Sequence, residues 1–379
     1  MKTASTVVVL VVMVLLSGCA TAPAARSPID LQALDPGNYT TVPRFIEHTE
    51  ATGAAQEIVR LAGHMPLMSE IDPRLTRNRV RYEDTYTASR RPTELGGTTG
   101  SDPTLPGPQI GLRISGEQPS GLGLRATLTV LRYASAEQAE SVRADYWSVL
   151  AVESTPLRDF PTALNFVYNG EYDTATVHSW FVFRQFLIVA TVQHDLQEKP
   201  DGAPLSAFLG PLLTRQVELL SDYEPVDPAN WHEIPADVDG LLGRTLPSEE
   251  DLPSLAAVST PVPMLRFSTA PEADRRAYDT GEVDLFAQDD SVVLRAGSDA
   301  RARELATTLT ENLRRDGWIA SESPPGLPTT PCVRSTPELY PRFACYVVVD
   351  RYVGVVGSRM EPDAWQQAAA QYLLLAHGR

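Results

Sequence analysis

Phe183-Arg184-Gln185-Phe186-Leu187-Ile188-Val189 and Val349-Asp350-Arg351-Tyr352-Val353-Gly354-Val355 decide how this chain divides. In each, apolar residues flank a polar pair, as the arms of an antiparallel hairpin flank its turn. Neither pair has the Asn-Gly chemistry that favours a two-residue loop, so the sequence leaves both registers open. Outward from the first hairpin, Arg125–Tyr133 alternates around Leu128 and Val130. Ser135-Ala136-Glu137-Gln138 is a capping box, and Ala139, Val142, Tyr146 and Val149 mark one helical face. Ala163–Val167 and Thr176–Val192 read as strands, the latter turning at Arg184-Gln185. A helix after Pro211 presents Leu213, Val217 and Leu220.

The same order surrounds the second hairpin. Glu282–Leu294 reads as strands turning at Asp289-Asp290. Ser298 opens a helix with Ala302, Leu305, Leu309 and Leu313 on one face. After the Cys345–Val356 hairpin, Pro362 sits near the start of a helix carrying Trp365, Ala369, Tyr372 and Leu373. Both halves run strand, helix, hairpin, helix. The expectation is an α+β fold of two tandem, related domains, each an antiparallel sheet with helices on one face. Pro225, Pro228 and Pro235 place a linker at 225–236, between domains at 34–224 and 237–379. A helix is expected over 54–61. Residues 87–123, dense in Gly, Pro, Ser and Thr, read as a long surface loop. Proteases are expected to cut first there or in the linker.

At the start of the chain, Lys2 and the apolar run Val7–Leu16 lead into Leu16-Ser17-Gly18-Cys19, the pattern of a secretory signal ending at a cysteine. Leu-Ser-Gly-Cys resembles a bacterial lipobox. The resemblance implies removal of residues 1–18, diacylation of Cys19 and a location on the extracytoplasmic face of the cell membrane. The run is too short for a membrane span, which needs roughly 20 apolar residues. Residues 19–33 read as a flexible tether. With 32 basic against 48 acidic residues, the chain carries a formal charge of −16. That charge argues against a nucleic-acid partner and against polybasic attraction to anionic headgroups. Membrane attachment therefore falls to acyl chains, two of which suffice.

Cys332 and Cys345 remain as an even pair in an exported chain, where disulfides persist. Two free core thiols are the alternative. A zinc site lacks both C-x-x-C and nearby histidines.

Leu34-Asp35-Pro36-Gly37-Asn38-Tyr39, Ile71-Asp72-Pro73-Arg74-Leu75 and Asp350-Arg351-Tyr352-Val353 with the alanine-rich helix after it extend the likeness. Together they resemble a family of uncharacterised actinobacterial lipoproteins of mycobacterial and nocardial type, a domain-of-unknown-function family. In it, a Leu-Asp-Pro-Gly-Asn-Tyr segment opens the folded region. The resemblance implies a location and a domain plan, and no catalytic residues.

Local catalytic patterns are missing from the sequence: H-E-x-x-H, G-x-S-x-G, a P-loop, G-x-G-x-x-G and S-x-x-K. His178 and His194 flank the first hairpin. His194-Asp195 reads either as an oriented base or as an exposed strand end. Asp237-Val238-Asp239-Gly240, Glu249-Glu250-Asp251 and Asp289-Asp290 lack the alternating ligands of a calcium loop. No cofactor, metal or catalytic residue is expected. The run Trp180-Phe181-Val182-Phe183, with Phe186, forms either core beneath helices or the wall of a pocket for an apolar ligand. The expected function is that of an exported, membrane-anchored, non-catalytic binding or scaffold module of the cell envelope. Its partners would be the membrane, through the lipid anchor, and an envelope lipid or protein. A carrier or sensor of an apolar envelope ligand and an envelope hydrolase are the alternatives.

Overall fold

The computed structural model describes residues 29–79, 85–92, 94–95, 98–99, 104–119, 123–150, 152–169, 174–195, 203–248, 255–336 and 341–378. The expected signal segment, Cys19 and most of the tether lie outside these residues. No helix among the described residues is long and apolar enough to cross a membrane.

The first half opens with α1 (Glu50–Gly63), fixed by a reciprocal cap: the Thr49 hydroxyl accepts the Thr52 N–H, and the Thr52 hydroxyl accepts the Thr49 N–H. Short α2 (Met68–Ile71), β1 (Thr85–Thr87) and a small ribbon, β2 (Glu94–Leu95) with β3 (Thr98–Thr99), follow. Then come β4 (Ile110–Glu117), β5 (Leu124–Arg132), α3 (Ala136–Leu150), β6 (Leu164–Asn169), β7 (Thr174–Phe183), β8 (Phe186–Asp195) and α4 (Ala203–Ser221). The second half holds β9 (Ala257–Ser259), α5 (Pro261–Met264), α6 (Pro271–Thr280), β10 (Leu285–Gln288), β11 (Val292–Arg295) and α7 (Asp299–Arg315). It ends with β12 (Ile319–Ser321), β13 (Cys332–Arg334), β14 (Phe343–Val349), β15 (Tyr352–Ser358) and α8 (Glu361–Ala376).

The sheets are antiparallel, in the orders β1-β4-β5-β8-β7-β6 and β12-β13-β14-β15-β11-β10-β9. Leaving out β12, the second order is the first one repeated: β5 and β11 each lead through a helix to the far edge, and a hairpin returns the chain beside them. The fold is thus α+β, with two tandem domains of matching topology. Both central hairpins close over two residues, pairing Phe183 with Phe186 and Val349 with Tyr352. Arg184 and Asp350 take φ of 52° and 49° at the first turn position. A tight hairpin needs that left-handed backbone even where Gly and Asn are lacking.

The helices cover both faces of each sheet, not one. Phe186, Ile188, Ala190 and Val192 share a core with Leu209, Leu212 and Leu213 of α4. Their neighbours Leu187 and Val189 pack with Ala139, Val142 and Tyr146 of α3. In the second domain, Leu294 and Val353 meet Leu305 and Leu309 of α7, while Val293 and Val347 meet Ala368 and Leu374 of α8. A strand buried on both sides reads as an unbroken apolar run, as Phe186–Ala190 does.

Part of the expected 87–123 loop is the strand β4. Its glycines, read as loop residues, are close approaches: a Cβ at Gly116 would strike Met68, and one at Gly111 would strike Leu131. Helix α4 begins at Ala203 and carries Pro211 inside it. Val149, expected on the buried face of α3, is exposed.

Residues 34–46, grouped with the first domain from sequence, run along the second. Leu34 packs with Leu327 and Ala369, and the Tyr39 hydroxyl donates to Asp363 Oδ1 at 2.8 Å. The Arg44 guanidinium donates to Asp289 Oδ2 at 2.6 Å. The expected linker is itself packed. Its 3-10 turn Pro228–Glu233 buries Trp231, and a Cβ on Gly53 of α1 would run into the Trp231 carbonyl. Gln56 Nε2 donates to the Ala236 carbonyl at 3.1 Å. Between the domains, buried Arg266 donates to the Met65 and Val262 carbonyls. One continuous core holds Ile58 and Leu61 of α1 together with Ala257, Met264 and Leu265. Cys332 and Cys345 are bonded to each other directly across the β13–β14 pair, and both are buried.

Candidate functional site

A partly open cavity of about 260 Å³ lies in the second domain between its sheet and the helices α6 and α7. Phe286 and Gln288 of β10, Leu294 of β11, Tyr346 of β14 and Val355 of β15 form the sheet wall. Asp274 and Tyr278 come from α6, Leu309 and Asn312 from α7, and Phe267 and Ser268 from the loop before α6.

The start of α6 positions its carboxylate. Pro271 sits in the first turn, where a missing N–H costs nothing. The Ser268 hydroxyl accepts the Ala270 N–H at 3.0 Å and donates to Asp274 Oδ2 at 2.6 Å. Tyr278 lies four residues beyond Asp274, on the same side of the helix. Burial pushes the Asp274 carboxyl up to about 6; the Ser268 bond opposes that shift and nearby Asp316 adds to it. Burial, with Asp274 adding to it, also raises the hydroxyls of Tyr278 and Tyr346 far above neutral pH. Neither hydroxyl makes a hydrogen bond among the described residues, although Tyr278 is 9% and Tyr346 5% exposed. Asp316, also on the lining, is paired with Arg77 of the first domain at 2.6 Å. Chemically, the cavity offers the Asp274 carboxyl, which changes state near pH 6, two neutral phenol hydroxyls, the side chains of Thr269, Gln288 and Asn312, and a mainly aromatic and aliphatic wall.

The matching place in the first domain is filled. Tyr346 pairs with Val355 as Trp180 pairs with Val189, and Leu294 pairs with Val353 as Leu131 pairs with Leu187. Trp180 is fully buried, stacked on Phe166 with centroids 5.6 Å apart, with Trp147 edge-on at 5.6 Å. Of the aromatic run, Trp180 and Phe186 are core, and Phe181, Val182 and Phe183 are half-buried against it.

His178 is buried. It stacks on Phe166 with centroids 4.8 Å apart, its Nδ1 lies 3.1 Å from Thr191 Oγ1, and burial lowers it to about 4. His194 sits half-buried at the far end of the same hairpin, and the Asp195 side chain lies outside the described residues. Asp237 caps the Leu242 and Gly243 amides, Asp239 and Asp289 pair with Arg295 and Arg44, and Glu249-Glu250-Asp251 lies outside the described residues. Asp274, Tyr278 and Tyr346 were not legible as a site. The four-residue spacing in α6 was the one signal, and it says nothing of burial.

Two family models, described as domain of unknown function (DUF7373), N-terminal and C-terminal, match residues 45–236 and 241–378. The chain belongs to the DUF7373 family. Comparison with curated proteins and with solved structures returns no match. The described cavity lining falls wholly within the DUF7373 C-terminal domain. Leu34 and Tyr39, ahead of the DUF7373 N-terminal match, lie against that same C-terminal domain.

Proposed function

We propose that this chain is an exported, lipid-anchored protein of the cell envelope, akin to actinobacterial lipoproteins. It works as a non-catalytic binding module, taking up a compact ligand between its second sheet and helices α6 and α7. The observation that carries the reading is the cavity: a mainly apolar wall with a few convergent polar groups is the composition of a small-molecule site. It favours a carrier or sensor over a scaffold, whose working feature would be an exposed apolar patch. The Ser268 hydroxyl is spent on Asp274 and the Ala270 amide, so the lining suits holding a ligand better than attacking one. The Cys332–Cys345 bond fits an oxidising compartment outside the cytoplasm. The anchor itself rests on Leu16-Ser17-Gly18-Cys19.

The test labels cells making the wild-type chain or Cys19→Ala with a palmitate analogue and separates their membranes. The wild type is expected labelled and membrane-bound, the variant unlabelled and released or unprocessed. Native mass spectrometry of the extracted wild type is expected to show a bound small molecule that Tyr346→Trp lacks. An unlabelled wild type would contradict the anchor, and identical masses would contradict the binding role.

A further inference from the structure

We infer that the cavity of the second domain is a site for a compact organic ammonium ion, held by the Asp274 carboxylate, the Tyr278 and Tyr346 hydroxyls and the surrounding aromatic rings. The inference rests on the binding reading above and names the class of ligand.

Four observations converge on it. Among the described residues Asp274 has no cationic partner: its hydrogen bond comes from the neutral Ser268 hydroxyl. Among the described lining residues there is no arginine, lysine or histidine, and the other carboxylate, Asp316, is already paired with Arg77. Asp274 is half-buried, and a carboxylate partly withdrawn from water without a counter-charge is costly, a cost that a bound cation lowers. Tyr278 and Tyr346 are more than nine-tenths buried as residues and line the cavity, and their hydroxyls make no hydrogen bond among the described residues, so both can accept from a ligand N–H.

The third observation is the wall. Phe267, Phe286, Tyr278 and Tyr346 line the same cavity as Asp274, with Tyr278 and Phe286 edge-to-face at 6.0 Å between centroids. Aromatic faces attract cations and accept apolar groups, whereas they repel anions. Last, the chain's charge of −16 enriches cations at its surface. Size bounds the ligand. An apolar cavity of roughly 150 Å³ holds a benzene, so about 260 Å³ admits about ten non-hydrogen atoms.

Ionisation sets the conditions of use. Asp274 is faced by Tyr278 on its own helix, Ser268 in the preceding loop, Tyr346 on β14 and Asp316 at the end of α7. Asp274 changes charge near pH 6, so uptake of the cation is expected to weaken by about ten-fold between about pH 7.5 and about pH 5.

The test is isothermal titration of the full chain with benzylammonium and with benzyl alcohol, which match in shape and differ in charge. At about pH 7.5 benzylammonium is expected to bind at least about ten-fold tighter than the alcohol. Asp274→Asn, which still accepts from Ser268, should erase that preference while keeping alcohol binding. Tyr346→Phe should weaken the ammonium more than the alcohol. Equal binding of the two probes, or a preference that survives in Asp274→Asn, overturns the ammonium assignment and leaves the cavity as a binding site. Binding of neither overturns both. Should Asp274→Asn fail to fold, the wild type's loss of ammonium binding at about pH 5, with alcohol binding unchanged, decides the matter.

Discussion

Tyr346 and Trp180 occupy equivalent places in the two sheets: each lies three residues before its hairpin's closing pair and pairs across the hairpin with a valine, Val355 or Val189. One is the floor of a cavity and the other fills its own domain's core. Matching topology with one site packed shut argues that the opening in the second domain is a feature of its sequence and not of the fold.

Tyr346→Trp should therefore close the cavity. The added ring volume goes into open space, so the penalty of overpacking, typically about 1–3 kcal/mol, should be small or absent. Melting temperature is expected to hold or rise while binding of benzylammonium or benzyl alcohol is lost. A variant that melts lower and still binds both would show that the indole does not enter the cavity.

Stability near pH 5 should reflect two opposed groups. The folded Asp274 carboxyl, at about 6, binds a proton more tightly than its unfolded value of 3.8 allows, so its contribution falls as pH rises from about 4 to 6. Folded His178, at about 4 against 6.5 unfolded, does the reverse: its contribution rises with pH between about 4 and 6.5. Each is on the order of 3 kcal/mol, and together they should nearly cancel. Asp274→Asn is expected to leave stability rising with pH across this window, and His178→Phe to leave it falling. Urea midpoints measured at several pH values give both slopes, and a flat profile in either variant would sink the assignment.

Glu57 should be among the least replaceable polar residues. Fully buried, it accepts from the Tyr223 hydroxyl at 2.6 Å and the Val226 amide at 2.9 Å, and it lies 3.5 Å from buried Arg132. Glu57→Ala strands those donors. Breaking a buried ion pair on one side costs about 3–5 kcal/mol. Chemical denaturation should register a loss of that order, and a loss below about 1 kcal/mol would mean the pair behaves like a surface one.

Much of the plan was legible because hairpins and capped helices carry local signals: Ser135 with Gln138, Ser298, and the polar turns at Arg184 and Asp350. The layering was not, since an apolar run such as Phe186–Ala190 does not tell how many helices flank it. Nor was β4, whose glycines are set by tertiary approach from Met68 and Leu131. The strap and the linker escaped for a similar reason. Turn-forming residues around Pro36 and Pro228 report local geometry, whereas Leu34 and Trp231 are buried by distant elements. The candidate site depends on three side chains from α6 and β14, brought together only by the sheet order.

Removing the disulfide should act on the second domain. The bond closes a separation of 13 residues, worth roughly 3 kcal/mol in the chain-entropy account. It also fixes β13 beside Tyr346. Replacing both cysteines with serine is expected to lower the melting temperature and to weaken ligand binding less than Tyr346→Trp does. Calorimetry with paired titrations is the check, and an unchanged melting temperature would count against a structural role.

The most direct test of the cavity as a ligand site is a titration of benzylammonium into the full chain, followed through tyrosine-ring resonances by NMR. Tyr278 and Tyr346 are predicted to shift and saturate together, while Tyr133 and Tyr146, packed in the first domain's filled core, stay in place. Saturable shifts at the first-domain tyrosines instead, or no saturable shift at Tyr278 and Tyr346, would contradict the account.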